Sequence, residues 1–281
     1  MGMSINTNLS ALNTYRNLNA TQNDLSKSLE KLSSGLRINR AADDAAGLSI
    51  SEGLKSQVGG LTVAARNAQD GISVVQTAEG GLTETHAILQ RVRDLAVQAG
   101  NDSNNDASRT AIQTEVTQLG AELGRIADST NFNGIKLLDG KAGPAADGLL
   151  NFQVGANGDA ASQIQVDLSK ASVTDVATAV NGLKFTSATE AQDSIKEIDT
   201  QIEYVSAARS NIGAVQNRFD HAINVTNVAK ENLTAAGSRI TDVDMAQEMV
   251  KYTRDNILSQ AGTSMLAQAN QSTQGVLSLL R

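Results

Sequence analysis

The chain has 281 residues and a net charge of −7; it contains one proline, no cysteine and no tryptophan, and only 2% of its residues are aromatic. Without cysteine, disulfides, Cys-ligated zinc and thiol catalysis are excluded, and an acidic balance with no basic, aromatic-interleaved patch argues against nucleic-acid binding. The aromatic poverty argues against one thick core, because Phe, Tyr and Trp would each bury roughly 150–250 Å² there. A chain rich in Leu, Ile, Val and Ala suits thin helix-on-helix seams instead. No run reaches the roughly 18–20 apolar residues of a membrane span, so no membrane insertion is expected. The opening MGMSINTNLS lacks the basic and apolar regions of a cleaved secretory signal.

From the N-terminus, leucines recur at 9, 12, 18, 25, 29, 32 and 36. The last four are spaced 4, 3 and 4, which predicts one helical face at Leu25, Leu29, Leu32 and Leu36. Asn, Gln, Ser and Thr fill the positions between them, so this helix needs a partner. The segment Leu32–Leu54 (LSSGLRINRAADDAAGLSISEGL) then holds small residues, the anchors Leu36, Ile38 and Leu48, and adjacent acids Asp43 and Asp44. An Asp ahead of an Ala-rich run is an N-cap, so this stretch reads as a loop ending one helix and starting the next. Neighbouring residues on a helix point roughly 100° apart, so Asp43 and Asp44 make a poor acid/base pair.

From 44 to about 100, Leu54, Leu61, Ala68, Val75, Leu82, Leu89 and Ala96 recur every seven residues. A helix of this span is on the order of 85 Å long. A second stripe, Val58, Ala65 and Ile72, turns polar at Glu79, His86 and Arg93. Ile88, Arg91 and Leu95 lie off the main stripe; they fit either a broad seam with a snorkelling arginine or an interface. NDSNND (101–106) is a turn and cap cluster. A third helix follows with Ile112, Val116, Leu119, Leu123 and Ile126 on its face, stopping near Asn131. Residues 132–187 then read as a small β-hairpin region. Leu150, Phe152 and Val154 alternate with polar residues, as do Ile164, Val166 and Leu168, around the turn GANGD. A fourth long helix is predicted from about 190 to 239 on Ile198, Val205, Ile212, Phe219 and Leu233, interrupted at Thr226. After a break at 237–242, a final apolar helical segment spans 243–281 and ends in SLLR. The fold class expected is mainly α. The N- and C-terminal halves pair as long antiparallel, coiled-coil-like helices, with the small β-hairpin region in mid-chain.

Catalytic, cofactor-binding and metal residues are not expected. His86 and His221 are far apart in sequence, and HExxH and GxxxxGK[ST] patterns are missing.

At this point the motifs match a family. SINTNLSALN, LSSGLRINRAADDAAGLSIS, RNAQDGISVVQTAEGGL, QRVRDLAVQAGN, FNGIKLLDG, RITDVDMAQEMVKYTRDNIL and the ending QSTQGVLSLLR occur in order along both terminal thirds. The chain resembles a bacterial flagellin, in a short form lacking large outer domains. The resemblance implies an extracellular subunit of the bacterial flagellum that self-assembles into a homopolymeric filament for motility. It implies export by the flagellar type III route without a cleaved signal peptide. Flagellar cap and hook-junction proteins and an export chaperone are the implied partners. Segments 1–43 and 243–281 would form an inner-tube helical domain, disordered in the monomer, with Leu25, Leu29, Leu32, Leu258, Leu266, Leu277 and Leu280 in its coiled coil. Residues 44–242 would form the surrounding layer, including the 132–187 hairpin region. Leu36, Arg37, Ile38, Asp43 and Asp44 would lie at the junction, with the two acids acting as caps or as partners of Arg37 or Arg40. QRVRDLAVQ resembles the segment recognised by the flagellin-sensing Toll-like receptor of vertebrates. It implies contacts at Gln90, Arg91, Leu95, Gln98, Ile112 and Glu115, on a surface that also packs between subunits. Residues 30–51 resemble the epitope perceived by plants but depart from it at Ala42, where a basic residue is usual. The alternatives are a hook–filament junction protein of the same export system, with similar ends, and an enzyme, since some flagellins carry a peptidase insert. The short middle and the missing HExxH disfavour the enzyme.

Overall fold

The computed structural model describes the backbone of residues 8–279 and the side chains of residues 8–271. Leu277 and Leu280 of the expected terminal coiled coil lie outside the described side chains. Among the described residues six α-helices dominate: α1 (Leu9–Ser34), α2 (Ala45–Ala99), α3 (Asp106–Ser129), α4 (Val173–Asn181), α5 (Ala188–Thr241) and α6 (Met245–Leu279). Two antiparallel hairpins interrupt them, β1 (Asn131–Phe132) with β2 (Ile135–Lys136) and β3 (Leu149–Gln153) with β4 (Gln163–Asp167). The contacts fall into two units. One comprises residues 1–56 with 232–281, and the other comprises 57–231.

In the 57–231 unit, α2 and α5 run antiparallel. Gly71 lies against the Phe219 ring, and further along the pair come the Arg209–Glu79 and Arg93–Asp199 ion pairs. The heptad stripe forms the seam: Ala68, Val75, Leu82, Leu89 and Ala96 are all buried, facing Ile198, Val205, Ile212 and Phe219 in one core. Close approach explains two of the glycines. A Cβ at Gly71 would sit 2.6 Å from the Phe219 ring, and one at Gly81 would sit 2.5 Å from Leu138. Packing therefore offsets the roughly 1 kcal/mol by which each helical glycine is disfavoured. Thr226, the apparent interruption in the α5 stripe, is buried, and its hydroxyl donates to the Val154 carbonyl at 3.5 Å.

Helix α3 starts at Asn105, whose side chain accepts from the Ser108 amide, and packs on α2 through Arg91–Glu115. The β1–β2 turn places Asn133 and Gly134 at φ 50° and 81°, the left-handed pair that an Asn-Gly hairpin turn requires. In β3–β4, Phe152 meets Phe219 edge-on with ring centroids 5.5 Å apart. This edge-on pair is the one aromatic ring contact among the described residues. The region 132–187 holds more than hairpins. α4 buries Val173, Val176, Ala177 and Val180, and Gln113 of α3 clamps the segment after it through Leu183 O (3.1 Å) and Phe185 N (3.2 Å).

In the 1–56 and 232–281 unit, α1 and α6 pair antiparallel. The Asn8 amide donates to Ala269 O, Leu18 meets Gly262, and Leu36 bridges Asp242. Gly35, at φ 74°, caps α1 in the left-handed conformation and returns its amide to Lys31 O. The expected leucine face is corrected. Leu25 and Leu32 are half-buried, but Leu29 is 53% exposed and Leu36 is 37% exposed. The covered row is Leu18, Thr21, Leu25, Ser28 and Leu32, spaced 3, 4, 3 and 4. Leu29 sits about 100° round the helix from Ser28, so it falls off that row. The expected break at 237–242 is also later: α5 continues through Gly237 to Thr241.

Candidate assembly and recognition surfaces

The turn between α1 and α2 is built from its own backbone. Arg37 places its amide on Thr241 O (2.6 Å) and its guanidinium on Ile240 O (3.1 and 2.7 Å), tying this turn to the end of α5. Val243 N returns to Gly35 O, completing a short two-sided clasp. Ile38 is 4% exposed, the apolar plug of this turn. The two acids have separate jobs. Asp44 is the α2 N-cap: its Oδ1 accepts from Gly47 N at 2.8 Å and its carbonyl accepts from Leu48 N. Asp43 accepts from the Asn39 and Arg40 amides (3.1 and 3.0 Å), and those backbone hydrogen bonds hold its carboxyl below the usual carboxylate range. Of the two arginines near them, Arg37 stands 3.6 Å from Asp44, whereas Arg40 pairs with Glu30.

On the 57–231 unit, Gln90, Arg91, Gln98 and Glu115 are exposed. Arg91 pins α2 to α3 by donating Nε and Nη2 to Glu115 Oε1 (3.0 and 2.7 Å). Leu95 and Ile112 do not join them at the surface. They are 3% and 6% exposed and belong to the core, because α2 packs against α3 on one side and α5 on the other, which widens its buried stripe past the heptad row. Ile88, half-buried, is the apolar neighbour that remains beside Arg91. His86, from the polar part of the second α2 stripe, lies one turn before Gln90, with its Nε2 3.0 Å from the Gln90 side-chain amide.

The α1–α6 pair reverses the usual distribution. Its covered row on α6 runs Glu248, Tyr252, Asp255, Ser259, Gly262, Leu266 and Ala269, with heptad spacing but largely polar or small content. Within it Ser28 Oγ, Glu248 Oε1 and Asp255 Oδ2 are buried without hydrogen-bond partners. The large apolar side chains point outward: Met249, Val250, Ile257, Leu258 and Met265 on α6 are each at least half exposed. Met249, Val250, Thr253, Arg254, Ile257 and Leu258 line an open apolar groove of about 420 Å³. Of the expected coiled-coil residues, Leu266 is half-buried and Leu258 lies in this outer groove. The sequence carried a signal for the outer face, since Met245, Met249, Thr253 and Ile257 are spaced by four.

Among the described residues, no group of three or more His, Cys, Asp or Glu side chains could hold a metal ion. None of the described helices is long and apolar enough to cross a membrane. What the fold and surfaces define is a helical protein whose α1 and α6 pair and whose α6 turns apolar side chains outward.

The family comparisons give that class its particular member. Residues 5–143 match the bacterial flagellin N-terminal helical region and residues 195–280 match the bacterial flagellin C-terminal helical region. A flagellin of Halalkalibacterium halodurans is 51% identical over 99% of this chain and 100% of its own length. A flagellin of Bacillus subtilis is 49% identical with the same coverage of both. The chain belongs to the bacterial flagellin family, the structural, non-enzymatic subunits that polymerise into the extracellular flagellar filament. A putative flagellar hook-associated protein from Vibrio parahaemolyticus shares the fold at 15% identity, with a TM-score of 0.56 over 71% of this chain and 100% of that one.

Proposed function

We propose that this subunit builds the filament through its terminal helices, and that segments 1–43 and 243–281 form the inner tube while 44–242 forms the layer around it. The observation that carries this reading is the outward apolar face of α6 with a polar, partly unsatisfied seam behind it. Covering the exposed half of each of these side chains is favourable by roughly 1 kcal/mol, and neighbouring subunits would supply the cover. The buried Asp255 carboxylate, whose Oδ2 has no hydrogen-bond partner, weakens the α1–α6 pair in isolation. Helix ends that are disordered in the monomer and fold on assembly suit passage through the flagellar type III route. The same apolar face suits an export chaperone before assembly, and the flagellar cap and hook-junction proteins at the two filament ends. Monomer added to sonicated filament fragments is expected to lengthen them under electron microscopy. Failure to lengthen would favour the second reading, a hook–filament junction protein, which the fold shared with a hook-associated protein keeps in view.

Monomeric subunits are also read by the vertebrate flagellin-sensing Toll-like receptor at Gln90, Arg91, Gln98 and Glu115. Leu95 and Ile112 lie behind these residues and hold α2 and α3 in place. The Arg91–Glu115 clamp at 2.7 Å supports this reading by fixing both side chains on one surface. Arg91→Ala is expected to weaken receptor activation by monomer without changing helicity; an unchanged response removes this site.

A further inference from the structure

We propose that Asn157 is a built-in modification site, the place where this chain deamidates spontaneously, and that the Gln153 side chain sets the rate.

Three Asn-Gly pairs occur in the sequence, at 133–134, 157–158 and 181–182. Glycine after asparagine leaves the following backbone nitrogen uncrowded, so that it can attack the asparagine side chain. Attack needs a free amide, a free side chain and a backbone able to swing the two together. Two of the pairs fail these conditions. Gly182 N is engaged at the end of α4 with Thr178 O and Ala179 O (3.2 and 3.1 Å), and the Asn181 side chain fills the space that a Cβ on Gly120 would need. Asn133, at φ 50°, is held in the two-residue turn between the paired Phe132 and Ile135. Asn157 and Gly158 meet all three conditions. Both are exposed, in the connection between β3 and β4. Among the described residues neither the Asn157 side chain nor the Gly158 amide has a hydrogen-bond partner. Nothing lies within 4 Å of a Cβ at Gly158.

Gln153, the last residue of β3, activates this pair. Its Nε2 donates to the Asn157 carbonyl oxygen at 2.5 Å and to the Gly155 carbonyl oxygen at 2.9 Å. Two carbonyl oxygens face this end of the side-chain amide, which fixes it as the NH₂ end. The Asn157 carbonyl and the Gly158 N–H belong to one peptide unit. When that N–H gives its proton to solvent, the negative charge spreads onto the Asn157 oxygen, where the Gln153 donor already stands. The Gly158 nitrogen then attacks Asn157 Cγ. An N–Cγ bond closes a five-membered succinimide, the Cγ–Nδ2 bond breaks, and ammonia leaves with a proton from water. A water molecule adds to one of the two ring carbonyls and reopens the ring. Addition at Cγ leaves aspartate, and addition at the Asn157 backbone carbonyl carbon leaves isoaspartate. Either product adds one negative charge to an exposed tip. Isoaspartate also adds a carbon to the main chain of a connection whose ends are fixed by the β3–β4 register and by the Val154 and Gly155 amides on Ser162 O (2.8 and 3.0 Å).

The test is incubation of the full chain in warm, mildly alkaline buffer, with peptide mapping by mass spectrometry at the three pairs and enzymatic methylation to detect isoaspartate. Asn157 is expected to convert first, with isoaspartate appearing at that position, while Asn133 and Asn181 persist. Gly158→Ala, which has open space for its methyl group, should suppress the conversion. Gln153→Met should slow it ~10-fold, the worth of one hydrogen bond to a charged oxygen. Gln153→Glu, which keeps the length and loses the donor, should slow it likewise and serves if Gln153→Met fails to fold. A Gln153 that only tethered the loop would act the other way, because releasing the loop would speed ring closure. Earlier or equal conversion at Asn133 or Asn181 overturns the site. Unchanged or faster conversion in the Gln153 variants overturns the role of Gln153.

Discussion

Gly71 and Gly80 lie nine residues apart on the same helix, yet alanine should act on them in opposite directions. A Cβ at Gly71 would lie 2.6 Å from the Phe219 ring, whereas nothing lies within 4 Å of one at Gly80. Gly80→Ala is expected to stabilise the protein by about 1 kcal/mol through helix propensity. At Gly71→Ala an overpacking cost of about 1–3 kcal/mol outweighs that gain. Thermal unfolding of the two variants should shift the midpoint up for Gly80→Ala and down for Gly71→Ala. Asp43 makes a pH prediction. Two backbone amides lower its folded-state pKa, so its contribution is fully present above the ordinary Asp range and is lost as pH falls through the lowered value. Hydrogen-exchange protection of the Asn39 and Arg40 amides should fall in acid and should be lost at neutral pH in Asp43→Ala. The Asp44 cap was legible in the sequence because capping is a local chemistry of one acid and the next few amides, whereas the turn of Asp43 back onto the Asn39 and Arg40 amides was not. Leu95 was not, because its burial depends on how α3 approaches α2, which no spacing within α2 records.

At the scale of elements, the α2–α5 seam was readable because one apolar heptad stripe met another, and the heptad position where Thr226 stands proved to be buried too. Helix α4 was missed although Val173, Val176, Ala177 and Val180 carry helical spacing, because the glycines and alternating strands around it suggested hairpins throughout. The α1–α6 pair was anticipated as a pairing but not in its composition. Leucines advertise a face, whereas a seam of Ser28, Thr21, Asp255 and Gly262 has no apolar signature. This composition makes a prediction. Asp255 is 8% exposed and its Oδ2 has no partner, so Asp255→Leu removes a buried polar group worth about 1–3 kcal/mol. The variant should show more helix by far-ultraviolet circular dichroism as isolated monomer. Equal or lower helicity would mean that the carboxylate does not weaken the pair.

For the whole molecule, the proposed assembly rests on the outward apolar face of α6. Large apolar side chains normally lie scattered over a surface, but Met249, Val250, Ile257 and Leu258 gather in one groove. Ile257→Asp with Leu258→Asp should leave monomer helicity unchanged, since both side chains are at least half exposed, and should abolish elongation from filament seeds. Charge reversal at Asp44 should likewise impair assembly more than monomer helicity. The measurement that tests the account most directly is the structure of the assembled filament at side-chain detail. It should show Met249, Val250, Ile257 and Leu258 buried against neighbouring subunits around the inner tube. A filament that leaves this groove open to solvent, with subunits joined only through residues 57–231, would contradict it.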